Sequence, residues 1–171
     1  DIEVEDEVTA YFRYKNGATG VFITTTGEAP GGNRLEIAGT KRKLLCENDK
    51  IEFNRLSEDV NEFSKHNEVL FAQPKDEKIA VETDGKNPQH LGIINNFTQA
   101  ILGKEKLFVS GADGISSVEL MNAIEYSGWR GGAETQIPVD ENEYLNALNK
   151  KRESSRRKNV AEKIADTTGT Y

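Results

Sequence analysis

The chain has 171 residues and a mass of 19.0 kDa, and its 22 basic and 29 acidic residues give a formal net charge of −7. This length fits one domain and a tail. The excess of acidic residues argues against a nucleic-acid partner. No stretch approaches the roughly 18 apolar residues that a membrane-spanning helix needs. The single cysteine, Cys46, excludes an internal disulfide and a cysteine-based zinc site, and no other metal site is expected.

The chain begins at Asp1, and its only methionine is Met121. We therefore expect a piece of a longer protein or a processed product. One thiol and no targeting segment favour a cytoplasmic protein.

Short strands dominate the first third of the chain. Alternating apolar residues from Val8 to Tyr14 predict a strand with one buried face, and Asn16-Gly17 predicts a hairpin turn after it. Further strands are predicted over residues 18–26, 33–38, 43–47, 51–56 and 78–83, with a short helix over 57–65. Hairpin turns between successive strands favour an antiparallel meander.

Helices dominate the remainder. A helix over 89–102 places His90, Ile94, Phe97 and Ile101 on one face, which we expect to be buried. A second helix begins at Ser110, which is predicted to form a capping box with Asp113. Its predicted buried face consists of Ile115, Val118, Leu120, Met121 and Ile124.

A short strand over 135–139 precedes a third helix capped by Asp140. These elements predict an α+β fold: an open, mainly antiparallel sheet with helices packed on one face. We expect one domain over residues 1–154 and a charged tail over 155–171, with a weak helix at 159–165.

Familiar catalytic and nucleotide-binding motifs are absent from the sequence. It contains no G-x-G-x-x-G after a strand and no phosphate-binding G-x-x-x-x-G-K-[ST], so no cofactor-binding residue is assigned. No H-E-x-x-H or G-x-S-x-G occurs either.

His90 is the first candidate functional residue. It stands at the start of a predicted helix, where backbone donors can meet an anionic or hydroxylated ligand. A histidine at the edge of the core, bonded to a neighbouring strand, is the alternative.

The loop from Pro30 to Arg34 is the second candidate. Its glycines allow a ligand close to the backbone, and Asn33 and Arg34 supply donors for hydroxyl or phosphate groups. The alternative is a wide connection between strands with a solvated arginine.

Three segments carry a family resemblance: GNRLEIAG at 32–39, HLGIINNFTQAILG at 90–103, and GADGISSVELMNAI at 111–124, which runs into SGW at 127–129. In this order they resemble the C-terminal domain of the Gfo/Idh/MocA oxidoreductases, which include glucose–fructose oxidoreductase and inositol dehydrogenase. The likeness covers roughly residues 6–154. It implies an open sheet similar to the C-terminal domains of the dihydrodipicolinate enzymes and glyceraldehyde-3-phosphate dehydrogenase.

The resemblance also implies an enzyme of two domains. NAD or NADP binds a Rossmann domain, which is missing here, and the C-terminal domain supplies the substrate side of the cleft. The family's catalytic lysine in a Glu-Lys-Pro motif, and its Asp and His pair, have no counterpart in this chain, so no catalytic residue is assigned. His90, Pro30, Asn33 and Arg34 match substrate-side positions.

We expect hydride transfer to or from a sugar or polyol in the whole enzyme, and no activity or dinucleotide binding by this chain alone. The alternatives are a non-catalytic sugar-binding or subunit-association module, or an unrelated α+β binding domain. An uncovered sheet face, with Tyr11, Val21, Ile23 or their alternates exposed, predicts a homo-oligomer.

Overall fold

The computed structural model describes residues 4–156, which contain six strands and four helices. The strands are β1 (Glu7–Arg13), β2 (Thr19–Thr25), β3 (Arg34–Ala38), β4 (Arg42–Glu47), β5 (Lys50–Leu56) and β6 (Asp76–Ile79). The helices are α1 (Val60–His66), α2 (Gln89–Ile101), α3 (Asp113–Trp129) and α4 (Glu141–Ser154). The predicted α+β class and the antiparallel pairing of strands are confirmed. The predicted helix at 159–165 lies outside the described residues, as does the predicted tail from residue 157 onward.

The first hairpin follows the predicted alternation. Val8, Ala10 and Phe12 of β1 are half-buried, and the residues between them are exposed. The turn closes through Tyr14 N–H donating to Ala18 O at 2.8 Å, with Gly17 at a φ of +87°. A two-residue period with one face toward the protein is the pattern of a strand covered on one side.

The meander does not form one continuous sheet within the described residues. β1 and β2 form a two-stranded sheet, and β3, β4, β5 and β6 form a four-stranded sheet in that order. Glycines and Pro30 lie between β2 and β3, and the Ala29–Pro30 peptide is cis. A proline without an N–H cannot extend a ladder of hydrogen bonds, which is consistent with a break here.

The register of the four-stranded sheet separates apolar from charged side chains. Leu35 pairs with Cys46, which pairs with Ile51, and residues directly opposite each other share a face. The next row on that face is Ile37, Leu44, Phe53 and Ile79. The alternate positions carry most of the charge, so the sheet has an apolar face and a charged face.

The turn from β4 to β5 fixes that register. Asn48 and Asp49 have φ values of +51° and +58°, the left-handed geometry of a two-residue hairpin turn. β6 begins earlier than the sequence predicted, because Asp76 pairs with Leu56, and it ends at Ile79, so residues 80–83 of the predicted strand are not in a strand.

Two helical expectations need correction. The α2 face of His90, Ile94, Phe97 and Ile101 is exposed, and the half-buried positions include Asn96 and Gln99. On α3, Ile115, Val118 and Met121 are exposed, and only Leu120 and Ile124 of the predicted face are half-buried, beside the buried Ala123. Periodicity identifies an apolar face but does not specify what will cover it.

Two further local predictions also need correction: the capping box at α3 was partly wrong, and the strand over 135–139 was wrong. At α3 the Asp113 carboxylate accepts from Ser110 N–H at 2.7 Å, but the Ser110 hydroxyl donates to the same carboxylate instead of accepting from the helix. Residues 135–139 form no strand, since Pro138 lacks the N–H that a ladder needs. Asp140 does cap α4, accepting from Asn142 N–H and Glu143 N–H at 3.0 Å each.

The described chain divides into two compact units. One unit is Thr25–Gly92, and we call it the inner unit because it lies in the middle of the sequence. The other, which we call the outer unit, comprises the described residues before and after it in the sequence. Within residues 4–156, no helix is both long enough and apolar enough to span a membrane.

Candidate functional site

The predicted substrate loop lies at the start of β3 in the inner unit. Pro30, Asn33 and Arg34 are all exposed. The glycines of the loop do not adopt the left-handed region, so its special feature is the cis peptide before Pro30. A Cβ placed on Gly32 would have no neighbour within 4 Å, which leaves the backbone there open to a ligand.

Carboxylates hold the guanidinium of Arg34. Its Nη1 donates to Glu47 at 3.2 Å, and its Nη2 donates to Glu36. The hydrogen bonds to Glu36 and then to Glu47 raise the pKa of Arg34. Hydrogen bonds from Lys43 and then from Arg34 hold the pKa of Glu36 below its usual value. These bonds orient Arg34 along β3, and Nε–H makes no hydrogen bond within residues 4–156.

Asn33 is the freer of the two predicted donors. Its side chain makes no hydrogen bond within the described part of the chain, so its amide is available to an incoming hydroxyl. Asn33 therefore suits direct contact with a ligand better than Arg34 does.

His90 is the second residue of α2, and its side chain is exposed. The preceding residue, Gln89, has a φ of +46°, and Pro88 O accepts from Gly92 N–H at 3.1 Å. A Cβ on Gly92 would lie 2.8 Å from Pro88 Cγ, so glycine is required for this approach. No hydrogen bond within residues 4–156 joins His90 to the loop at 30–34. The loop at 30–34 and His90 both lie in the inner unit, but the structure of the described residues shows no hydrogen bond between them.

Helix N-termini differ in their charge. Asp59 caps α1, Asp113 lies in the first turn of α3, and Asp140 caps α4, whereas the first turn of α2 has no acidic residue. Carboxylates at a helix N-terminus repel an anionic phosphate that would use the same backbone donors. Three of the four described helices are therefore poorly suited to hold a pyrophosphate.

The outer unit contains a large groove that the sequence did not reveal. It lies between β1, α3 and residues 132–137, and its volume is about 1140 Å³. Its apolar lining includes Val8, Ala10, Phe12, Leu120, Ala123 and Ile124. We call it the hairpin groove. Four carboxylates and two cations line it, namely Glu5, Glu7, Glu125, Glu134, Arg13 and Lys15, so it is acidic on balance.

Aromatic residues fasten α4 to α3 beside this groove. The rings of Trp129 and Tyr144 stack with centroids 5.5 Å apart, and Trp129 Nε1–H donates to Glu5 at 2.9 Å. The Tyr144 hydroxyl donates to Glu125 at 2.6 Å, and the Tyr126 hydroxyl donates to Glu143 at 3.1 Å. Partial burial and the bond to Glu125 raise the pKa of Tyr144 to about 12. These contacts make Trp129 a packing anchor between α3 and α4.

Comparison with known proteins identifies the class. A family model described as "Oxidoreductase family, C-terminal alpha/beta domain", that of the Gfo/Idh/MocA proteins, matches residues 1–128. The chain therefore belongs to this oxidoreductase family, and the match is to the family's C-terminal domain. A search of curated proteins found no match.

Proposed function

We propose that this chain is the substrate-side and oligomerisation domain of a cytoplasmic, NAD(P)-dependent oxidoreductase that acts on a sugar or polyol and is inactive alone. The observation that carries the proposal is the family match over residues 1–128. NAD or NADP, bound by a Rossmann domain outside this chain, supplies the hydride acceptor or donor in such an enzyme.

The residues at 30–34 and His90 would bind the substrate. The Asn33 amide and the backbone around Gly32 are exposed donors and acceptors that can orient hydroxyl groups, and Arg34 is held in place by Glu36 and Glu47. The His90 imidazole can donate to, or accept from, one further hydroxyl. Orientation of the carbinol carbon is the contribution expected of this domain, since the general acid and base lie elsewhere.

The dinucleotide is assigned to the other domain because three of the four described helix N-termini and the hairpin groove suit it poorly. The N-termini of α1, α3 and α4 carry carboxylates, and the hairpin groove is acidic. Both features disfavour the two negative charges of a pyrophosphate.

A homo-oligomer through the sheet is also part of this proposal. Tyr11, Val21 and Ile23 have 63%, 64% and 67% of their surface exposed. Large apolar side chains on two neighbouring strands favour coverage by a second subunit.

Nuclear magnetic resonance titration of the 171-residue chain tests the binding site. Sugars and polyols are expected to shift the amide signals of residues 31–33 and of His90, and Asn33→Ala is expected to weaken binding about tenfold. Asn61→Ala, an exposed asparagine on α1, is the matched control and should bind normally. Shifts confined to other residues, or none with any sugar or polyol, would contradict the proposed site.

Enzyme assays test whether catalysis and dinucleotide binding need the other domain. With NAD or NADP and a panel of polyols, the isolated chain should give no turnover, and fluorescence titration with NADH or NADPH should show no binding. Turnover by this chain alone would refute the proposal.

A further inference from the structure

The charged side chains around Arg34 form a network without net charge. The Arg34 guanidinium donates to Glu47 at 3.2 Å and to one oxygen of Glu36, and the Lys43 ammonium lies 2.8 Å from the other oxygen of Glu36. We call Arg34, Glu36, Lys43 and Glu47 the Arg34 network. Its two cations and two carboxylates cancel at neutral pH.

The register of the sheet holds this network together. Arg34 pairs directly with Glu47 across β3 and β4, and Glu36 lies two residues further along β3 on the same face. The carboxylates are also less exposed than the cation, because 33% of the Glu36 side chain and 40% of the Glu47 side chain are exposed, against 52% for Arg34. The pairing of the strands therefore keeps both carboxylates beside the guanidinium.

Neighbouring residues add no excess of positive charge. The charged residues further along the same face are again two cations and two carboxylates, namely Lys50, Glu52, Asp76 and Lys78. Glu52 lies 2.9 Å from Lys78. The only charged residue between β2 and Arg34 is Glu28, which is acidic. An anion that approaches Arg34 therefore meets no surplus of cations on these strands and their preceding loop.

An anionic ligand would compete with the protein for Arg34. Phosphates and carboxylates offer acceptors and favour a guanidinium that presents two parallel N–H groups to them. The two terminal nitrogens of Arg34 are already bonded to different carboxylates. An anion must therefore displace Glu36 or Glu47, or add a third negative charge beside them, and each alternative weakens its binding.

A hydroxyl group can use the same residues without displacing any of them. It is both a donor and an acceptor, so it can donate to a remaining lone pair of Glu36 or Glu47 and accept from the Asn33 amide. Asn33 makes no side-chain hydrogen bond within residues 4–156, and the backbone at Gly32 is open. The arrangement of donors and acceptors thus favours a hydroxylated ligand without charge.

We propose that Glu36 and Glu47 are specificity-determining residues, which make the site at 30–34 select an uncharged sugar or polyol over a phosphorylated or acidic one. This inference rests on the proposed function, because it assigns the charge of the substrate at the same site. By residue type alone, Asn33 and Arg34 suit hydroxyl and phosphate groups equally. The two carboxylates neutralise Arg34 and so remove the preference for phosphate.

Titration with inorganic phosphate tests the inference without any sugar. At constant ionic strength, nuclear magnetic resonance follows the Arg34 Nε–H signal and the amide signals of residues 32–35. The native chain should show no saturable shift, whereas the double variant Glu36→Gln, Glu47→Gln should bind phosphate at least about tenfold more tightly. Each single variant should show a smaller gain.

Glu77→Gln is the matched control. It removes the carboxylate that lies 2.9 Å from Arg55, on the opposite face of the sheet, and should leave the Arg34 signals as they are in the native chain. Saturable binding of phosphate at Arg34 in the native chain would overturn the proposal. So would the lack of any gain in a double variant and single variants whose thermal melts are unchanged.

Paired ligands distinguish this inference from the proposed function. Glucose and sorbitol are each compared with their own phosphate ester. The native chain should bind the uncharged member at least about tenfold more tightly, and the double variant should narrow that ratio. Tighter binding of the phosphate ester to the native chain would overturn the inference and leave the site at 30–34 standing. If neither the native chain nor the double variant bound any of these ligands there, the proposed site would be refuted, and this inference with it.

Discussion

The phenol of Tyr144 is held in two ways at once: its ring stacks on Trp129 at 5.5 Å, and its hydroxyl donates to Glu125 at 2.6 Å. Both partners lie on α3, whereas Tyr144 lies in the first turn of α4. One side chain thus fixes the position of one helix against the other by apolar contact and by a charge-assisted bond.

Replacing Tyr144 by Phe should keep the stack and remove the bond. We expect a loss of about 1–2 kcal/mol in the free energy of unfolding, measured by urea denaturation at neutral pH. Tyr14→Phe is the control, because Tyr14 is exposed and makes no side-chain bond within residues 4–156. Equal stability of Tyr144→Phe and the native chain would show that the Glu125 bond contributes nothing.

The hydroxyl of Tyr144 should also ionise at a higher pH than that of an ordinary tyrosine. Its pKa is raised from 10.0 to about 12, so the folded state favours the neutral phenol. The associated stabilisation is complete below pH 10 and is lost as the pH rises toward 12. A titration followed by ultraviolet absorbance should show a phenol that ionises near pH 12. Tyr144→Phe should remove this transition, and Tyr14→Phe should not.

Gly92→Ala should destabilise the chain, although alanine favours helices. The added methyl group would lie 2.8 Å from Pro88 Cγ, and we expect a loss of about 1–3 kcal/mol from overpacking. Thermal unfolding measures it. Gly114→Ala in α3 is the matched control, because a Cβ there meets nothing within 4 Å, and it should gain about 0.5–1 kcal/mol. A stabilised Gly92→Ala would show that Pro88 moves away freely.

Asp59→Ala should destabilise the chain at neutral pH, because it removes the cap of α1. The carboxylate caps α1 by accepting from Asn61 N–H at 2.9 Å and also accepts from the Thr40 hydroxyl at 2.7 Å. These bonds, with Thr40 the larger cause, hold the Asp59 pKa below 3.8. The stabilisation is therefore present above pH 3.8 and lost as the pH falls through the lower folded value.

Denaturation of Asp59→Ala and the native chain at neutral pH and in acid checks this dependence. The stability difference should shrink in acid. Asp59→Asn keeps an acceptor and should restore part of the loss. A difference that does not change with pH would indicate that the charge of Asp59 is unimportant.

Asn96→Ala should loosen the segment after α2. The Asn96 amide donates to Glu105 at 3.1 Å and to Lys106 O at 3.0 Å, and its oxygen accepts from Phe108 N–H at 2.8 Å. We expect a loss of about 1–3 kcal/mol and faster hydrogen exchange at the Phe108 amide. The adjacent exposed Asn95 provides the control variant. Unaltered exchange at Phe108 would contradict the assigned role.

The sequence predicted local structure where one residue type decides it. Alternation over Val8, Ala10 and Phe12 predicted β1, and Asp140 predicted the start of α4, because period and capping are local properties. The inward side of α2 was not predictable in this way. Asn96 is polar, and only the structure shows that it binds the segment at 105–108.

The candidate sites show the same limit. The loop at 30–34 and His90 were found by residue type and by family resemblance, whereas the hairpin groove is lined by residues of β1 and α3, which are distant in sequence.

The register of β4 and β5 makes the length of their turn critical. Asn48 and Asp49 form the whole connection, and Ile51 and Phe53 point to the apolar face because of it. Insertion of a single residue that shifted β5 by one position would turn both side chains among the lysines and glutamates opposite. Length variants in this turn should therefore be far more disruptive than substitutions at the same two positions.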